Sequence, residues 1–306
     1  MKISGPREGD AILPAVACMC VAMVMLPVLN GSAKLLGQFY PMPEIVWARY
    51  AGHFVFMVAL FLPKRGLRLF VTARPGLQIC RSLLLLCATI LFFVALKTIA
   101  LATAVAINFV GPIMVTALAV PFLGERVGPR RWAAVFVGFA GALIIIRPGT
   151  DVAHWSSLLV LGNAACFALY QILSRKISAS DSAETSIVYV AMVGLVASSI
   201  ALPFGVRLPF VWWHWLVFLT LGLSGGLGHY FVVKAYGYAP ASIVSPFGYG
   251  QLIGATIIGF VAFGDFPDGW TWVGAAVIVG SGLYITYRES RVGRQVAAGV
   301  ARGSLS

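Results

Sequence analysis

The chain has 306 residues, 60% of them hydrophobic and only 10% charged, with a mean hydropathy of +0.92. Soluble domains carry about 25% charged residues, so the composition excludes a water-soluble enzyme, a nucleic-acid-binding module and a disordered chain. The net charge of +12 does not point to nucleic acid either, because the bases sit in short segments between apolar runs, where they orient a membrane chain.

Crossing the hydrocarbon takes about 20 mostly apolar residues, and the sequence offers ten such runs: 11–31, 44–62, 76–96, 102–122, 131–147, 156–174, 185–203, 213–233, 242–263 and 270–287. They are continuously apolar instead of alternating, which argues for helices over a β-barrel. The first run follows Lys2 and Arg7 as a signal peptide would. Its length, with Glu8 and Asp10 in its flank and no clear cleavage site, predicts a first membrane helix instead. The five cysteines (Cys18, Cys20, Cys80, Cys87, Cys166) all fall within apolar runs with no C-x-x-C pair, and so read as packing residues, not as a disulfide framework or zinc site.

Between alternate connections, Lys and Arg divide 16 to 4. The rich set includes Lys64, Arg65, Arg68, Arg74, Arg126, Arg130, Arg131 and the C-terminal bases; the poor set is Lys34, Lys97, Arg147 and Arg207. Positive charge stays inside, which predicts a multi-pass inner-membrane protein with both termini cytoplasmic.

Sliding the chain against itself by 140 residues pairs Ala95 with Ala235, Ile113 with Ile253, Thr116 with Thr256, Gly124 with Gly264, Trp132 with Trp272 and Leu143 with Leu283. The same offset pairs Glu44 with Glu184, and Leu62-Pro63 with Leu202-Pro203. Each copy holds five runs, an odd number, so the second copy enters the membrane upside down. The charges agree: the basic 124–131 connection has a partner at 264–271 with two carboxylates and no base. The expected fold is all-α and integral to the membrane, ten transmembrane helices in two inverted five-helix repeats. The expected units are residues 1–149 and 150–290, followed by a basic cytoplasmic tail, 291–306. Inverted repeats of this kind are a mark of secondary transporters, with the substrate near the midplane between the halves.

Gly124-Glu125 ends the fourth helix of the first copy and Gly264-Asp265 that of the second; Ala95-Leu96-Lys97 precedes the former, and Ala235–Ser242 the latter. In these features residues 11–288 resemble the EamA-type branch of the drug/metabolite transporter superfamily. That resemblance implies a metabolite carrier, and the general likeness to aromatic amino-acid exporters implies amino-acid export. A nucleoside or quaternary-amine derivative is the alternative cargo.

Polar residues at membrane depth line cavities or pair with neighbours, because facing lipid is costly. Asn108 beside Gly111-Pro112, and Ser245-Pro246 with Tyr249-Gly250-Gln251 in the repeat mate, place paired interruptions in corresponding helices, the sequence pointer to a transport site. Expected substrate contacts are Asn108, Ser245, Tyr249 and Gln251, joined by Asn163, Tyr170 and Gln171 of the sixth run, His229 of the eighth, and Arg81 as a carboxylate clamp. Gly111, Pro112, Pro246, Gly250 and Pro27 are candidate hinges. Phe92, Phe93 and Phe109 could supply aromatic walls. Arg49 and His53, four apart, project together, although Arg49 is close enough to an interface to snorkel. No carboxylate falls mid-run, so downhill transport by alternating access is expected, with His53 or His229 the available proton carriers if there is coupling.

Competing readings are weaker. Gly222-Leu223-Ser224-Gly225-Gly226 matches G-x-S-x-G, but His229 lies about 140° around the same helix, and small residues at this spacing serve helix packing. There is no phosphate-binding G-x-x-x-x-G-K-[ST], which removes an ATP-driven pump. A channel stays possible on composition alone. No cofactor, metal or nucleic-acid partner is expected; the partners are a small-molecule substrate and the lipid bilayer, with the oligomeric state open.

Overall fold

The computed structural model describes residues 12–124, 128–148, 155–177, 180–202, 209, 211–239 and 241–303. Glu125, Arg126, Arg207 and the N-terminal bases lie outside the described residues. Twelve helices follow in order: α1 (Ile12–Leu36), α2 (Met42–Arg65), α3 (Pro75–Ala95), α4 (Leu101–Asn108), α5 (Gly111–Leu123), α6 (Pro129–Ile146), α7 (Ser156–Ile177), α8 (Ala183–Ala201), α9 (Trp212–Tyr238), α10 (Ala241–Gly248), α11 (Gln251–Phe263) and α12 (Gly269–Gly303). They form ten apolar spans, because the fourth and ninth spans are each built from two helices.

The two breaks stand in the same place in each copy. α4 ends at Asn108 and α10 at Gly248, while α5 begins at Gly111 and α11 at Gln251, each pair 140 residues apart. In the first copy the cause is Pro112, which lacks the N–H that the carbonyl of Asn108 would otherwise receive. The second copy departs from expectation. Pro246 lies inside α10, and the chain breaks three residues later, at Tyr249-Gly250. There Tyr249 and Gly250 bond back to the carbonyls of Pro246 and Phe247 in tight i→i−3 turns, and the flanking Gly248 and Gly250 weaken the helix. Register within the repeat, more than proline position, fixes the break. Both second pieces then end on a left-handed glycine, Gly124 at φ 67° and Gly264 at φ 70°, a conformation that only glycine adopts cheaply.

Packing is interlaced across the halves. α1 lies against α9 and α11, and its repeat mate α7 lies correspondingly against α3 and α5; α2 packs on α8, and α6 on α12. Each half therefore completes its core with helices of the other. A close crossing joins α2 to α9 at Gly52 and Gly222, where a Cβ on either would come within 2.6 Å of the other's Cα. This is the small-residue packing that lets membrane helices approach, and it accounts for part of the glycine cluster 222–226. Ser224 is buried and donates back to the Thr220 carbonyl at 2.6 Å, so it is a helix-bonded hydroxyl and not a nucleophile.

Candidate functional site

A cavity of about 150 Å³ lies where α1, α2, α3, α4, α7, α9 and α11 converge. Its polar lining comes from Asn30, Arg49, Thr89, Asn108, Asn163, His229 and Gln251, and its apolar lining includes Leu26, Leu29, Leu85, Phe92, Phe93 and Phe167. Asn108 is the last residue of α4 and Gln251 the first of α11, so both broken spans present an amide here. Asn163 Nδ2 donates to Asn108 Oδ1 at 2.6 Å, tying α7 to the first break. This volume holds about five waters, and both halves supply its walls.

Arg49 is 4% exposed, and it does not snorkel. Its Nη1 donates to Thr89 Oγ1 at 2.7 Å, Nη2 lies 3.5 Å from His229 Nε2, and the guanidinium stands over the Tyr50 ring at 4.6 Å. Thr89 Oγ1 in turn reaches the Leu85 carbonyl at 2.9 Å and the Tyr50 hydroxyl at 3.1 Å. His229 stacks on His53 with ring centres 5.9 Å apart and planes within 9°.

A second cavity of about 240 Å³ lies between α5, α7, α10 and α12. It is lined by Pro112, Thr116, Gln171, Arg175, Ser245 and Thr286, among others. The expected substrate contacts thus divide. Asn108, Asn163, His229 and Gln251 meet at the first cavity; Gln171 and Ser245 face the second. Tyr249 lines neither: it meets its repeat mate Phe109 edge to face at 5.0 Å, at the two helix breaks. Tyr170 stacks on Phe167 at 5.7 Å and lies beneath Arg81.

Arg81, expected as a clamp, is likewise absent from both linings. Its Nη2 donates to the Ser186 carbonyl at 2.7 Å and its guanidinium sits 5.1 Å from the Tyr170 ring centre, so it ties α3 to α8 and α7. Among the candidate hinges, Gly111 and Pro112 open α5, Gly250 stands in the second break, Pro246 lies within α10, and Pro27 lies within α1 against Gly254. Sequence reasoning passed over Asn30, Thr89 and Phe167, and weighed Arg49 mainly as a snorkelling cation. Asn30, a polar residue inside the first apolar run, carried the same signal as Asn108. Thr89 carried none.

A cavity between two inverted halves, flanked by paired broken helices, is the arrangement of a membrane transporter. The sequence matches the EamA-like transporter family twice, over residues 13–147 and 154–287. The chain belongs to that family; it is a multi-pass membrane transporter and not an enzyme. A riboflavin transporter of Rhizobium johnstonii is 30% identical, the alignment covering 91% of this chain and 93% of that protein. An S-adenosylmethionine uptake transporter of Rickettsia felis is 28% identical over 89% and 93%. A riboflavin transporter of Vibrio cholerae is 33% identical over 62% and 64%. A crystal structure at 18% identity shares the fold with a TM-score of 0.61 over 90% of this chain and 96% of the other. These relatives lend no support to the aromatic amino-acid branch.

Proposed function

We propose that this chain carries riboflavin, by alternating access through the cavity between its halves. The observation that carries the reading is the Rhizobium johnstonii relative, similar along nearly the full length of both chains. The lining chemistry suits a neutral heteroaromatic with a hydroxylated side chain, for which the cavity of about 150 Å³ must widen on opening. Phe92, Phe93 and Phe167 supply aromatic rings to the lining, while Asn30, Asn108, Asn163 and Gln251 offer both donors and acceptors. Arg49 separates the two cargoes named among the relatives. S-adenosylmethionine carries a sulfonium and a net positive charge, which a guanidinium in a low-dielectric site opposes; riboflavin does not. An amino-acid cargo is less well served, since no carboxylate among the lining residues could receive its ammonium.

The test is uptake of labelled riboflavin by a bacterium that can neither make nor import it, with and without this chain. Uptake competed by excess riboflavin, and not by S-adenosylmethionine or phenylalanine, supports the reading. Transport of either competitor in place of riboflavin overturns it. The five-helix units 1–149 and 150–290 are proposed to sit with both termini and the 291–306 tail in the cytoplasm, which accessibility of a cysteine added after Ser306 would check. Transport is proposed to run downhill; dependence on an imposed proton gradient in vesicles would count against that.

A further inference from the structure

The guanidinium of Arg49 is buried beside the cavity without a counter-ion. Among the described residues no carboxylate forms an ion pair with it, and its Nε has no acceptor. A lone cation withdrawn from water is costly unless other groups complete its hydrogen bonds. Thr89 holds Nη1 at 2.7 Å, and the faces of Tyr50 and Phe93 flank the group at 4.6 and 5.9 Å. Along the opposite edge, Nε is unpartnered and Nη2 has only a long contact, 3.5 Å, to His229. His229 is itself fixed by stacking on His53, whose two ring nitrogens are also buried without partners. The side chain is therefore anchored on one side, while its Nε/Nη2 edge, two parallel donors, is closed over in this state with only the long His229 contact to satisfy it.

That edge is matched by two adjacent coplanar acceptors. In an isoalloxazine ring the N1 nitrogen and the C2 carbonyl oxygen form such a pair. We infer that the Nε/Nη2 edge of Arg49 takes the N1/C2=O edge of the transported flavin, which makes Arg49 a specificity-determining residue. This assignment rests on the riboflavin reading above. The cluster carries no acid that could neutralise the arginine, so a bound acceptor edge is what completes it. Lysine is not a substitute, because an ammonium offers no planar fork.

The experiment is a binding titration of the purified full chain in detergent, read by the fluorescence of bound riboflavin and by its displacement. Riboflavin is compared with 5-deazariboflavin, which keeps the N1/C2=O pair, and with 1-deazariboflavin, which replaces N1 by CH. Wild-type protein is expected to bind the first two within about threefold, and 1-deazariboflavin about tenfold or more weakly, the loss of one charge-assisted hydrogen bond. Arg49→Lys and Arg49→Gln are expected to lose about tenfold in riboflavin affinity and to bind the two analogues alike. Because the analogue comparison uses wild-type protein, it holds even where a variant fails to fold. Riboflavin binding with no discrimination against 1-deazariboflavin overturns the Arg49 assignment alone. No flavin binding by wild-type protein overturns the riboflavin reading and the assignment with it.

Discussion

The two ends of the bundle are both tied across the halves, but by different chemistry. At the end bearing the 36–42, 96–101 and 264–269 connections, Lys34 pairs with Asp265 at 2.6 Å and also donates to the Ile99 carbonyl at 3.0 Å, while Arg147 pairs with Asp268 at 2.5 Å. At the opposite end Asp181 accepts from the Thr72 hydroxyl, from Gln78 Nε2 at 2.7 Å and from the Ala73 N–H at 3.1 Å. Arg65 and Glu184 form an exposed pair there at 3.0 Å. In all four ties the donor belongs to the first copy and the carboxylate to the second. The copies share a fold but have diverged into complementary charge, so the seam between them is where an alternating carrier can open and reseal. One end is tied mainly by ion pairs, one of them half-buried, and the other mainly by neutral donors around a single carboxylate.

The sharpest way to break this contrast is at Lys34, only 12% exposed. Asp265→Ala leaves its ammonium with only the Ile99 carbonyl and the Phe263 ring face, 5.0 Å away, and is expected to cost about 2 kcal/mol, read as a lowered unfolding temperature in detergent. It is also expected to favour the state open at this end, so that a cysteine placed at Asn30, on the cavity wall, labels faster from that side. Exchanging the charges, Lys34→Asp with Asp265→Lys, is expected to recover most of the stability. No recovery would mean that the neutral contacts of Lys34 to the Ile99 carbonyl and the Phe263 ring, and not the charge pair, hold this end together.

Asp181→Asn tests the other end and is expected to have the smaller effect, about 1 kcal/mol, since the amide keeps one acceptor. Burial alone would raise the Asp181 pKa, but hydrogen bonds from Thr72, Gln78 and Ala73, with the charge of Arg81, outweigh it and hold the carboxyl below its ordinary 3.8. A depressed pKa means that this contribution is complete above the unfolded value and fades as pH falls through the folded one. Wild-type protein is therefore expected to loosen at this end below about pH 4, and Asp181→Asn to lose that part of the acid dependence. Asp268 is depressed as well, chiefly by hydrogen bonds from Thr271 and then by Arg147, so its contribution fades in the same direction. Stability curves of Asp181→Asn and Asp268→Asn between pH 3 and 7 would apportion the acid loss between the ends.

Much of this seam was legible before any coordinates. The 140-residue offset, read from scattered identities, locates both helix breaks and both left-handed glycines, because a duplicated fold keeps its backbone specials even as its side chains diverge. Hydropathy set the ten spans, although it merged each broken pair into one run. The environment of Arg49 was not legible. Its place near the start of the second span suggests snorkelling, and only the convergence of α2, α3 and α9 puts Thr89 and His229 beside it. Arg81 shows the opposite side of the problem: a cation inside a span reads as a substrate clamp, while its guanidinium here bonds a backbone carbonyl of α8. Spacing along one helix predicts neighbours on that helix, whereas this cavity is assembled from seven, and its division from a second cavity depends on packing that no single span encodes.

The smallest effect belongs to Arg65 and Glu184, whose side chains are 53% and 31% exposed. Pairs of that kind are worth about 0–1 kcal/mol and are screened by salt. Arg65→Ala is expected to shift stability by less than about 0.5 kcal/mol at physiological ionic strength, with the difference from wild type vanishing as salt is raised. Asp265→Ala should keep most of its effect in the same series, since a half-buried pair is screened less. If both variants responded equally to salt, the two ends would be held by equally exposed charges, and their difference would have to lie in the neutral donors around Asp181 alone.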